Sequence, residues 1–326
     1  MNHQIQRSER SGQKKDAQVR PLLAGDLRER MHELYRERKD IYESTATVII
    51  DAQSKRREMA GAIIAHEERL ADRIWVSTPG EPYAVSFGED LNAQVAALLK
   101  AHTNKVLVLS APPVASAASS LAQHLDSLGK QTTVKVLPDG EAAKQLPVLS
   151  DVWEAAASAD LERRDAIVAL GGGATTDLGG FAAATWLRGV DLITVPTTLL
   201  AMVDAAVGGK TGIDWSTGKN LVGAFYPPLG VAVDFSTLRT LSPDHLREGL
   251  AEALKCGFIR DQQILEIAHD HALALLDPDS PRLRDIIRRA VRVKADVVST
   301  DLYESGQREH LNYGHTLAHA IERVED

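Results

Sequence analysis

Between residues 105 and 195 the chain alternates short apolar runs with stretches of helical periodicity, and few folds accept that order. The runs at 105–110, 132–137, 166–170 and 192–195 have strand length, and the segments 115–128, 146–159 and 177–185 carry apolar residues at helical spacing. Strands separated by helices pair through crossovers, so the alternation predicts a parallel sheet covered by helices on both faces. Beyond Leu241 the pattern turns almost wholly helical and stays so to residue 326. An α/β half is therefore expected to precede an α-helical half.

The amino-terminal part is organised differently. Residues 1–17 lack apolar periodicity and read as a disordered tail. Residues 18–67 read as a separate segment, with a helix over 27–42, a short β-like run at 46–50 and a second helix through Ile64. The polar stretch 66–72 is the expected linker, which divides the rest into an α/β domain over 68–240 and a helical domain over 241–326. Such a length, 44% hydrophobic, can bury one large core or two ordinary ones. A net charge of −8 argues against nucleic acid or an anionic membrane as partner. The single cysteine, Cys256, excludes an internal disulfide and fits a reducing compartment. No apolar run approaches the roughly 20 residues that cross a bilayer. A soluble, cytoplasmic protein is expected.

Two loops carry chemistry. The run 166–170 leads straight into Gly171-Gly172-Gly173 and then into a helix. A strand, a glycine turn and a helix N-terminus together present free amides and the positive end of a dipole, a natural anion site. Thr176 stands where the dinucleotide fingerprint has its third glycine, so a tight packing turn remains the alternative. The second loop, residues 204–220, gathers Asp204, Lys210, Lys219 and Asn220. Asp204 occupies the position of a P-loop's first glycine, and the preceding 199–207 read as helical, so Gly209-Lys210-Thr211 is not a nucleotide-triphosphate loop. Asp204 and Lys210 read instead as an acid and a cation converging on one polar ligand. After residue 150 the chain holds four lysines, Lys210, Lys219, Lys255 and Lys294, and otherwise uses arginine for its strong cations. A compact ammonium is retained where arginine is the rule elsewhere.

The last third offers metal ligands. His315 and His319 share a helix face, as do Glu252 and Lys255 on an earlier helix. Glutamate and histidine from separate helices suit a catalytic zinc, although an isolated H-x-x-x-H pair is more often structural or solvent-facing than metallic. Arg308 and Asn312 nearby add anion and hydroxyl recognition.

These motifs together resemble one family. PDGEAAK at 138–144, GGGATTDLGGFAAATWLRGV at 171–190, VPTTLLAMVDAAVGGKTGIDWSTGKNLVGAFYPP at 195–228, GLAEALKCGFI at 249–259 and LNYGHTLAHAIE at 311–322 resemble 3-dehydroquinate synthase, a sugar-phosphate cyclase of the shikimate pathway. The resemblance runs from about Ile74 to Asp326. It implies a Rossmann-like NAD-binding parallel-sheet domain followed by an all-α metal and substrate domain. It places Asp139, Gly140, Glu141, Lys144, Gly173, Asp177, Thr197 and Thr198 on NAD, with Lys210 and Lys219 beside them. Glu252 and His315 would bind a divalent metal, zinc or alternatively cobalt. Asp204, Lys210, Asn220, Lys255, Lys294, Arg308, Asn312 and His319 would hold a sugar acid phosphate or shape its reaction, with Arg188 assisting. The implied reaction takes 3-deoxy-D-arabino-heptulosonate 7-phosphate through oxidation at C5, β-elimination of phosphate, re-reduction, ring opening and aldol closure to 3-dehydroquinate. The cofactor is regenerated each cycle, which makes the enzyme a lyase of aromatic amino acid biosynthesis. A homodimer is implied.

Three further expectations follow from the resemblance. Ser-Ala-Pro-Pro at 110–113, after the apolar run 105–109, supplies no acid for an adenosine ribose. The chain stops at Asp326, before the family's second zinc histidine, a substrate lysine and several helices, so a truncated helical half with little activity is expected. Residues 19–51 resemble the C-terminal end of shikimate kinase, with Arg20 and Arg38 on that family's lid and shikimate positions, which suggests the remnant of a fused kinase–synthase. The alternatives to a synthase are a sister cyclase forming an amino- or deoxy-cyclitol, a metal-dependent alcohol dehydrogenase of the same fold, and a non-catalytic fragment.

Overall fold

The structure, a computed structural model, describes Arg36 and residues 72–314. The chain forms two compact units, the first made of 1–71 with Lys100–His102 and the second of 72–99 with 103–326. Of the first unit, Arg36, which is helical and exposed, and Lys100–His102 are described. The expectations for residues 18–67, Arg20 and Arg38 included, lie outside the described residues, as do His315 and His319.

The second unit is built on a seven-stranded sheet in the order β1-β2-β9-β6-β5-β3-β4. Its strands are β1 (Arg73–Val76), β2 (Tyr83–Gly88), β3 (Lys105–Ser110), β4 (Gln131–Val136), β5 (Ala166–Gly171), β6 (Asp191–Pro196) and β9 (Gly230–Asp234). All pairings are parallel except β1 with β2, which places one antiparallel strand at the sheet edge. Successive side chains of the central strands enter opposite cores. Leu107, Leu109, Ile167 and Ala169 pack with α3 (Leu146–Ser158) and α4 (Gly173–Thr185) on one face. Val106, Val108, Val168 and Leu170 pack with α1 (Leu91–Leu98) and α2 (Ala115–Ser127) on the other. The near-continuous apolar runs in the sequence therefore reflect burial on both faces.

A two-stranded antiparallel hairpin, β7 (Lys210–Trp215) and β8 (Gly218–Phe225), stands apart from the main sheet. Gly180 of α4 lets the helix approach it, because a Cβ there would lie 2.3 Å from Thr211 Cγ2. The helical layer comprises α5 (Pro243–Ile259), α6 (Gln262–His271) and α7 (Pro281–Thr300). Ser242, Asp261 and Ser280 cap their N-termini by accepting backbone amides, and Pro243 and Pro281 start two of them with φ already set. Ile286, Ile287, Ala290 and Val291 of α7 share one core with Ile74, Val85, Phe87 and Val231 of the sheet. Sheet and helical layer are thus sealed by common burial.

The expected parallel sheet is present, with differences that have physical causes. Strands β1, β2 and β9 and the hairpin fall outside the alternating run that signalled the rest. Helix α4 begins at Gly173, in the glycine turn itself, rather than at residue 177. Within the expected helical stretch 199–207, Ala201–Ala205 forms a wider π-turn, a geometry frequent at functional positions.

Candidate active site

The glycine turn lies at the C-terminal end of β5. Gly172 is the N-cap of α4 and no side chain caps the helix, which leaves its first-turn amides for a ligand or water. A Cβ on Gly172 would lie 3.2 Å from Thr198 Cγ2, and one on Gly173 3.3 Å from Ala205 Cβ. The side chains of Thr198 and Ala205 therefore sit close over the turn, and Thr197 N–H donates to the Gly171 carbonyl at 2.9 Å.

Asp177, one turn into α4, meets Lys144 at 2.9 Å. Lys144 is 3% exposed and follows the short turn Gly140–Ala143, whose capping Asp139 accepts the Gly140 amide at 3.0 Å. The same ammonium donates to Asn220 Oδ1 of the hairpin and lies 3.8 Å from Glu141. Asn220 adopts a φ of 58°, and its amide donates to Asp214 Oδ1 at 2.8 Å. Burial pushes the Asp177 carboxyl up to about 6, against the pull of Lys144. Burial likewise raises Glu141, with Lys144 opposing. One lysine therefore gathers Glu141, Asp177 and Asn220 from three separate segments.

A cleft of about 490 Å³ opens beside this cluster, lined by Asp177, Asp204, Lys210, Asn220, Lys294 and Arg308 among others. Lys294, from α7, donates to both the backbone carbonyl and the carboxylate of Asp204 on the π-turn. Burial pushes the Lys294 ammonium down, and Asp204 opposes that shift. Arg308 is 2% exposed and donates to the carbonyls of Gly208 and Leu302, the former at 3.0 Å. Gly208 has a φ of 111°, and a Cβ there would lie 2.5 Å from Arg308 Nη2, so the arginine needs glycine at this place. Its amide donates to the Tyr83 hydroxyl at 2.9 Å, and burial raises that phenol to about 12.

Arg308 is carried by a loop organised around Asp301. The Asp301 carboxylate accepts from Ser305 N–H at 2.9 Å, Ser305 Oγ at 3.0 Å, Gly306 N–H at 2.8 Å and Arg308 N–H at 3.1 Å. Led by the amides of Ser305 and Arg308, these bonds hold its carboxyl at about 2. The loop also delivers Glu304, which pairs with Lys210 and accepts from Asn312 Nδ2 at 3.1 Å. Burial raises Glu304, but Lys210 and Asn312 outweigh it and its carboxyl lies below the usual range.

The helical layer adds Glu252 and Lys255, ion-paired on α5. Buried Cys256 beside them is pushed up to about 11 by burial. Among the described residues no group of three or more metal-ligating side chains occurs. The structure thus brings Asp177, Asp204, Lys210, Asn220, Lys294 and Arg308 to one cleft, with Lys144 and Glu141 behind it and Asn312 reached through Glu304. Lys219 is exposed on the hairpin, within electrostatic reach of Glu141. Arg188 is exposed on the turn Trp186–Arg188 at the far end of α4 and does not line the cleft. Sequence reasoning missed Tyr83, Asp301 and Glu304. Asp301 and Glu304 lie in an ordinary polar stretch that no motif singles out.

A parallel sheet, an uncapped glycine turn at its strand ends and a cationic cleft beside a helical layer form an arrangement shared with solved sugar-phosphate cyclases. Solved structures that share the fold include two synthases. The first, 2-deoxy-scyllo-inosose synthase complexed with carbaglucose-6-phosphate, NAD+ and Co2+, superposes with a TM-score of 0.72 at 29% identity over 78% of this chain and 70% of that one. The second, 2-epi-5-epi-valiolone synthase from Streptomyces hygroscopicus subsp. jinggangensis 5008 with NAD+ and Zn2+ bound, gives 0.67 at 28% identity over 73% and 67%. Family models for the 3-dehydroquinate synthase N-terminal and C-terminal regions match residues 134–248 and 249–326. The 3-dehydroquinate synthase of Thermobifida fusca (strain YX) is 50% identical over 254 residues, which cover 78% of this chain and 69% of that protein. The chain belongs to the 3-dehydroquinate synthase family.

Proposed function

We propose that the cleft converts 3-deoxy-D-arabino-heptulosonate 7-phosphate to 3-dehydroquinate and phosphate. One observation carries the assignment of the site: Lys210, Lys294 and Arg308, from three separate elements, converge beside Asp177 of α4. A substrate with a phosphate at one end and a carboxylate at the other needs such separated cations.

NAD fits the strand ends, where the α4 N-terminus has no side-chain cap to compete for its amides and glycine at 172 and 173 keeps Cβ atoms away from them. In this reading Asp139, Gly140, Glu141, Lys144, Gly173, Asp177, Thr197 and Thr198 hold the dinucleotide, with Lys210 and Lys219 at its edge. The structurally similar synthases solved with NAD+ and Co2+ or Zn2+ support both groups. Glu252 offers an oxygen donor in surroundings that already accept the Lys255 cation, and with the His315 imidazole it makes a donor set suited to zinc or cobalt. Bound NAD supplies a hydride acceptor and donor, and the divalent ion polarises a hydroxyl or carbonyl oxygen.

The chain's own side chains do the rest. Lys210, Arg308 and Asn312 bind and orient the anionic groups. Lys294 and Asp204, already sharing a proton-bearing contact, hold a substrate hydroxyl and exchange a proton with it, while Asn220 and Lys255 fix neighbouring oxygens. His319 assists proton movement near neutral pH. Residues 68–240 act as the dinucleotide half and 241–326 as the metal and substrate half. A homodimer is proposed, and sedimentation velocity checks it. Among the described residues no helix is long and apolar enough to cross a membrane. Cytoplasmic residence is part of the proposal.

Product analysis with two substrates tests the reading. 3-Dehydroquinate is expected from the heptulosonate phosphate, and no carbocycle from a sugar phosphate lacking the carboxylate. The reverse preference would assign the cleft to a sister cyclase.

A further inference from the structure

Two side chains given above to the anionic substrate, Lys210 and Asn312, meet a carboxylate of the chain itself. Glu304 pairs with Lys210 and accepts from Asn312 Nδ2 at 3.1 Å, and Arg308 also feels its charge. This carboxylate is aimed. Its backbone takes a φ of 57°, and the next residues, Ser305, Gly306 and Arg308, are tied to Asp301 by four hydrogen bonds. Glu304 also borders both the 490 Å³ cleft and a neighbouring cavity of about 800 Å³ that reaches Asn312. Lys294 already has Asp204 as its counter-charge, and Glu304 stands in the same relation to Lys210.

We propose that Glu304 is a resident counter-anion: it holds Lys210 and Asn312 in the ligand-free cleft and releases them when an oxyanion group of the substrate binds. The inference rests on the assignment of Lys210 and Asn312 to substrate. It makes Glu304 a specificity-determining residue. A neutral sugar offers Lys210 nothing that replaces a carboxylate, whereas a phosphate dianion does, so weakly charged ligands are held out by an interaction they cannot match.

Calorimetric titration of the 326-residue chain with inorganic phosphate, and separately with acetate, tests this. Glu304→Gln should bind at least one of them about five- to tenfold more tightly than the unsubstituted chain. A gain for phosphate alone assigns the displaced position to the phosphate end of the substrate, and a gain for acetate alone to the carboxylate end. Glu304→Ala, which retains no hydrogen-bonding group, is the second variant and should show the same gain. Lys210→Ala should weaken binding in either background. Unchanged or weaker binding in both Glu304 variants, with Lys210→Ala still losing affinity, overturns the counter-anion role and leaves the Lys210 assignment standing. Binding indifferent to Lys210 removes the assignment and the inference together.

Discussion

Charges in this site are held at a cost that single substitutions expose. Asp177 has a folded pKa of about 6 against an unfolded value of 3.8, so between those values the folded state binds more protons than the unfolded one. Its contribution to stability therefore falls as pH rises from about 4 to about 6, and the penalty is fully present above. Asp177→Asn should stabilise the fold at pH 7 by about 1–3 kcal/mol in urea titration while weakening NAD binding. The buried Lys294 is the converse case. Lys294→Met leaves Asp204 without its ammonium and removes a charge that lowers the Asp177 carboxyl. A loss of about 2–4 kcal/mol, read by the same titration, is expected, with turnover abolished.

Elements position these residues through close approaches and one polar hub. Gly249 brings α5 against the segment before the π-turn, since a Cβ there would lie 2.5 Å from Leu199 Cβ and Leu200 N. Gly249→Ala should cost about 1–3 kcal/mol and lower kcat by shifting Glu252, which thermal unfolding and steady-state kinetics together would show. The 301–308 loop depends on Asp301, whose folded pKa of about 2 is depressed below the unfolded value. Its contribution is present above the unfolded pKa and lost as pH falls through about 2. Asp301→Asn should therefore raise KM at pH 7, and the difference in thermal midpoint from the parent chain should vanish towards pH 2. Elements on the alternating strand–helix run were legible because the central strands β3, β5 and β6 are apolar on both faces and helices such as α2 and α3 have a clear period. The hairpin was not, since β8 is mostly exposed and rich in small and polar residues, and Asn220 has a left-handed backbone that no strand pattern announces. Lys210, Lys294 and Arg308 could be singled out as scarce or well-spaced cations. Their counter-charges Asp204 and Glu304 differ in this respect: Asp204 sits in a dense motif, whereas Glu304 lies in an ordinary polar stretch and gains meaning only when the loop folds back on Lys210.

At the scale of the molecule, the sheet and the helical layer share one buried core, so the strand-end turn and the α7 ammonium are fixed relative to each other by apolar packing. Unfolding of β2, β9 and α7 in a single transition, followed by hydrogen exchange, is the expected behaviour. In the proposed reading the same arrangement sets dinucleotide chemistry beside anion recognition. A dehydrogenase ends each turnover with NADH, whereas a cyclase returns the hydride. The most direct test is inorganic phosphate release from 3-deoxy-D-arabino-heptulosonate 7-phosphate by this chain, with NAD and zinc supplied and absorbance at the NADH band followed in parallel. Slow phosphate release without net NADH, lost in Lys210→Ala, is the predicted result. Accumulating NADH, or no phosphate from folded protein, would contradict the account.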